Sequence, residues 1–221
     1  MRFWLTGDGG FYTGVHAPNT VAVRDAYATF NAGGRTDLFL PLGDNAYLSG
    51  TDAEFQGALF DMHHDLLRNT PVYPIYGNHE EFTSDTLTAT GPFFDMFTLP
   101  TAGQGGGVPS GSETYFSLDY GNIHFVVLDS EQSPTSATTP QMLWLTADLQ
   151  ATTAKWIIAL WHRPPYSRGL FHNSDTEVEE VRMRQFAVPI LEAPGFEADD
   201  IMGTLARDGD RFGIGYAAGR R

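Results

Sequence analysis

Four short apolar runs constrain this chain most: Arg2–Gly7 (RFWLTG), Leu38–Leu42 (LFLPL), Val72–Tyr76 (VYPIY) and Trp156–Trp161 (WIIALW). Apolar runs of this kind, bounded by turn signals, read as buried strands. Each leads directly into a residue that can hold a metal: Asp8, Asp44, Asn78 and His162. The second run is the clearest, because Gly43 breaks it and delivers Asp44, with Tyr47 three residues on. In open α/β sheets ligands gather at the carboxyl ends of the strands, so four donors at one such edge would converge on a single site. Any one of them alone would be no more than a turn residue capping its loop.

Between these runs the pattern is mostly helical. Val23, Tyr27 and Phe30 fall at helical spacing in Asn19–Phe30, with Asn19 as the expected cap and Gly33-Gly34 behind. Thr51 and Glu54 make a capping box, and Phe55, Leu59, Met62 and Leu66 form the apolar stripe of a second helix. By the phase of that stripe His63 and His64 read as surface histidines. Residues 83–112, with Gly105-Gly106-Gly107, read as a long irregular loop of the sort that rims a site. Tyr115–Tyr120 and Ile123–Leu128 flank Gly121-Asn122 as a hairpin, in which His124 faces a packing layer and has no chemical role. Gln141–Gln150 and Thr176–Glu192 complete the helices, and strands alternating with helices give an α/β layered domain.

Composition narrows the function classes. A net charge of −14, with Lys155 the single lysine, excludes nucleic acid and anionic membranes as main partners. With no cysteine in 221 residues, a metal must be held by Asp, Asn, His or Tyr. The first apolar run, Phe3–Leu5, is too short for a signal peptide or anchor, so the sequence carries no address and leaves the compartment and the oligomeric state unknown.

Asp8-x-Gly10, Gly43-Asp44-x-x-Tyr47, Gly77-Asn78-His79 and His162-x-Pro164-x-Tyr166-Ser167 resemble, in order and spacing, the motifs of the calcineurin-like metallophosphoesterases. Tyr47 resembles the purple acid phosphatase branch in particular. The resemblance implies an α/β fold, a four-layer αββα sandwich. It implies a hydrolase of small phosphate monoesters acting through a metal-bound hydroxide at a binuclear centre, with Fe(III) plus Fe, Zn or Mn(II) as cofactors. It assigns Asp8, Asp44 and Tyr47 to the first metal and Asn78 and His162 to the second, with Asp44 bridging. His79 and Asn78 would face the phosphate, His79 also serving as proton donor. His172 corresponds to a substrate-facing catalytic histidine of plant members, or is a plain loop histidine. Some members of the family are secreted. Glu80 and Glu81 read as outer or surface residues.

The resemblance spans a catalytic domain at 1–193 and stops there. The family's closing Gly-His-x-His motif gives one histidine to each metal, yet no histidine comes after His172. Residues 194–221 are rich in glycine and arginine and read as a tail foreign to the family, from a shifted reading frame or a truncation that leaves the sandwich C-terminally incomplete. Asp208 and Asp210 have ligand spacing but sit in an ordinary turn sequence. The alternative function is therefore a catalytically impaired or inactive fragment that retains partial metal or phosphate binding.

Overall fold

Strands β1 (Phe3–Thr6) and β2 (Leu38–Pro41) run parallel, Phe3 opposite Leu38 and Thr6 opposite Pro41. They belong to the first of two compact units, Met1–Phe97 and the stretch from Thr98 on, in a computed structural model that describes residues 1–164. On the other side of β2 runs the third expected strand. Tyr73 N–H donates to Phe39 O at 3.0 Å and Ile75 N–H to Pro41 O at 2.8 Å, but only Val72 forms a bridge, with Phe39. Pro74, lying between those two donors, has no N–H to offer the outer edge, which blunts that edge against further pairing. Phe39, Leu40, Phe55, Ile75, Tyr76 and Phe93 are fully buried around this sheet. Phe55 meets Phe97 at 5.6 Å and Tyr76 meets Phe93 at 5.2 Å, both edge to face, the arrangement that aromatic quadrupoles favour.

The helices of this unit depart from the sequence pattern in instructive ways. α1 (Ala17–Asn31) starts two residues before Asn19, because Pro18 is pre-set for a first turn. None of its residues is buried: Val23 and Phe30 are 51% and 75% exposed, and Tyr27 instead stacks on Trp4 at 4.1 Å. The capping box forms as expected, Thr51 Oγ1 accepting from Glu54 N–H and the Glu54 carboxylate from Thr51 N–H, and opens α2 (Asp52–Phe55). A π turn, Gln56–Asp61, then precedes α3 (His64–Leu67). The wider turn shifts the helical phase of the residues after it. Phe55 and Leu59 keep their buried places, but His63 is 6% exposed, packed on Trp4 and Phe39, and so is not the surface histidine expected. His64 is exposed, as expected. The long loop region contains a short helix, α4 (Pro92–Met96), after an isolated bridge between Asp85 and Thr90.

In the second unit β3 (Phe116–Tyr120) and β4 (Ile123–Val127) form the predicted hairpin across Gly121-Asn122, Tyr120 opposite Ile123. Gly121 takes φ +64°, the left-handed turn that glycine allows without steric cost. β5 (Trp156–Leu160) adds parallel to β4 after the crossover helix α5 (Pro140–Ala151). Met142, Trp144 and Leu145 of the helix pack with Val126, Leu128, Ala159 and Trp161 in one apolar cluster. His124 is buried, as its alternation implies, but it is not idle. Its Nδ1 lies 2.7 Å from Asp119 Oδ1 and its Nε2 2.7 Å from Asp148 Oδ2 on α5. Burial opposes a charge on this ring; the hydrogen bonds to Asp148 and Asp119, and their charges, outweigh it and raise the pKa. The helix Thr176–Glu192, His172 and the tail 194–221 lie outside the described residues.

Candidate metal centre

Asp8, Asp44 and Asn78 come just after the carboxyl ends of β1, β2 and the extended segment beside β2, the edge at which parallel sheets bind ligands. The turns that carry them are locked to one another. Asp8 N–H donates to Gly43 O at 3.2 Å, and Tyr47 N–H donates to Gly10 O at 3.0 Å. A Cβ on Gly10 would stand 2.6 Å from Ala46 N, so this turn admits only glycine. Asp8 and Asp44 both hold φ near the left-handed region, +55° and +51°, conformations that cost non-glycine residues about 1–3 kcal/mol and persist where the surroundings enforce them.

Asp8 and Asp44 meet at Tyr47. The phenol donates toward Asp44 Oδ2 at 2.7 Å and Asp8 Oδ1 at 3.1 Å. Burial, the two negative charges and these hydrogen bonds all favour the neutral phenol, raising its pKa far above the ordinary value. A cation among these oxygens would reverse that balance. Two carboxylates and a phenol oxygen are donors of the kind that hard ions prefer, so the residues present fit the metal that the sequence implies.

His79 closes this side of the cluster. Its N–H donates to Asp44 Oδ1 at 3.0 Å, and its ring stands edge-on to Tyr47 at 4.5 Å. Nδ1 lies 2.7 Å from Leu48 O, which can only accept, so Nδ1 carries the hydrogen. Nε2 is thereby directed to the carboxylate, 3.8 Å from Asp44 Oδ2. Asn78 is half-buried next to it. In the second unit His162 stands two residues past β5, where the chain is held by Arg163, whose Nε donates to Glu131 at 2.7 Å and whose N–H donates to Ser130 Oγ at 3.1 Å.

Of the two places the sequence leaves open for Glu80, an outer position behind the ligands or the surface, the structure gives it the first. It is completely buried, and its carboxylate accepts from three backbone N–H groups in two turns. Its place three residues after Gly77, where the side chain can fold back onto the turn, is the one signal of this role that the sequence holds.

A sequence model of the calcineurin-like phosphoesterases matches residues 1–196. The chain belongs to that family. Among its relatives is purple acid phosphatase 15 of Arabidopsis thaliana, 30% identical over 125 residues that make up 55% of this chain and 22% of the relative. Tartrate-resistant acid phosphatase type 5 of Sus scrofa is 26% identical over 196 residues, 76% of this chain and 54% of the relative. The fold is that of the family: a purple acid phosphatase from yellow lupin seeds, PPD1, superposes with a TM-score of 0.53 at 19% identity, over 77% of this chain and 32% of that one. The chain thus spans at most about half the length of these relatives. No helix among the described residues is long and apolar enough to cross a membrane.

Proposed function

We propose that this member of the family hydrolyses phosphate monoesters at a binuclear metal centre. The observation that carries the reading is the meeting of Asp8 and Asp44 at the Tyr47 hydroxyl, with His79 Nε2 turned toward the same carboxylate. Asp8, Asp44 and Tyr47 would hold one ion, which a tyrosinate favours as ferric iron, and Asn78 and His162 a second, Fe, Zn or Mn(II), with Asp44 bridging. Bound there, such ions supply charge neutralisation at phosphate and an acidified water for in-line attack. Asn78 orients the phosphate. His79, its Nδ1 hydrogen fixed on Leu48 O, delivers a proton from Nε2 to the departing alkoxide. His172, by the resemblance to plant members, would be a further substrate-facing histidine. The acidic surface suits small esters over polyanions, since the ions themselves neutralise one phosphate at close range.

A second reading is metal or phosphate binding without turnover, since residues 173–221 as given hold no histidine to add to the ligand set. Hydrolysis of an aryl phosphate by the purified chain, stripped by a chelator and then resupplied with ferric and divalent ions, separates the two. The hydrolase reading expects activity lost on stripping and restored on resupply. Binding of inorganic phosphate with no turnover under any metal regime supports the second.

A further inference from the structure

We infer that Glu80 is a positioning residue that holds the two ligand-bearing turns, Gly43–Asn45 and Gly77–His79, in a single register. The inference rests on the metal-centre reading for its consequence but on backbone geometry for its substance. Gly43 and Asp44 are consecutive residues with φ of +91° and +51°. The turn they make leaves the successive N–H groups of Asp44 and Asn45 pointing at one anion. The anion here is supplied by the chain itself: Asp44 N–H donates to Glu80 Oε2 at 3.1 Å and Asn45 N–H to Oε1 at 2.7 Å. Oε2 also accepts from Gly77 N–H at 2.8 Å, so one carboxylate bolts the turn after β2 to the turn after the neighbouring segment.

The fit leaves no slack. Glu80 is 0% exposed, and a Cβ on Gly77 would come within 2.8 Å of its Oε2 and 2.3 Å of Asp44 N. Return contacts complete the brace, Glu80 N–H donating to Gly77 O at 3.2 Å and His79 N–H to Asp44 Oδ1 at 3.0 Å. Without the carboxylate, three donors that are shielded from water lose their acceptor, and one of the contacts that hold the left-handed backbone of Asp44 is lost. In this role Glu80 acts through its neighbours, setting where Asp44 and the Asn78-His79 pair stand.

Two measurements on the full chain test the inference. In Glu80→Gln the side chain keeps its shape but presents an NH2 group where an oxygen accepted. Calorimetric titration with Mn2+ should show affinity lowered at least about tenfold, with near-UV circular dichroism unchanged and Glu81→Gln binding as the wild type does. A folded Glu80→Gln with wild-type Mn2+ affinity overturns the inference. Should that variant fail to fold, amide exchange in the wild type decides. The N–H groups of Asp44, Asn45 and Gly77, though in turns, should be protected as strongly as those of β2, and exchange at loop rates overturns the inference. A wild-type chain that binds no metal refutes the hydrolase reading instead, and the exchange rates alone then judge the brace.

Discussion

Gly77 shows how little freedom single residues have around the candidate centre. Any side chain there collides with Asp44 N at 2.3 Å and Asp44 Oδ1 at 2.6 Å, backbone and buried carboxylate that cannot swing aside. Gly77→Ala should therefore destabilise the chain by about 1–3 kcal/mol, the usual cost of overpacking. Because the displaced atoms belong to Asp44, it should also weaken metal binding, which a denaturant melt paired with a metal titration will check. At this scale the sequence is partly readable. Asp8, Asp44 and Asn78 follow the ends of extended segments, and such an end is visible as the point where an apolar run stops. Glu80 is not readable as a buried brace, because its value comes from N–H groups that converge only after the turn at Asp44, 36 residues before Glu80, has come alongside it.

Among the elements, two buried histidines should give the chain opposite responses to pH. His63, behind the π turn, has a pKa lowered to about 4 by burial and by the nearby Arg24 charge. It stays neutral when folded, while the unfolded chain protonates near the ordinary value of 6.5. Its contribution is thus complete above that value and lost as pH falls toward 4. His124 is the reverse: with its pKa raised, it is stabilising below the unfolded value and loses that contribution as pH rises through the folded one. Both of its nitrogens face carboxylates that only accept when ionised, so the ring in its doubly protonated form links β3, β4 and α5, with Lys155 bordering the same hollow. Thermal melts from mildly acid to mildly alkaline pH should show His63→Leu flattening the acid limb and His124→Gln the alkaline limb, each relative to wild type. Neither role is legible in the pattern. A π turn leaves no composition signal, so an uninterrupted helix puts His63 at the surface, and a strand's alternation tells that His124 is buried without telling what it meets. The hairpin, the capping box and the crossover helix α5 are legible because each depends on residues close in sequence.

For the whole molecule, four ordered motifs at the ends of apolar runs suffice to indicate the calcineurin-like fold, since that fold places its ligands where strands stop. The four motifs are spread from Asp8 to His162, and only their joint order is specific. The central claim is that Asp8, Asp44 and Tyr47 form a metal centre rather than a hydrogen-bonded cluster of acids. It is tested most directly by metal analysis of the purified chain, wild type against Asp44→Ala, after equilibration with iron and manganese and removal of free ions. The account predicts two ions per wild-type chain and loss of both in Asp44→Ala, the residue proposed to bridge them. A wild-type chain that emerges free of metal, or an Asp44→Ala variant that keeps both ions, would contradict it.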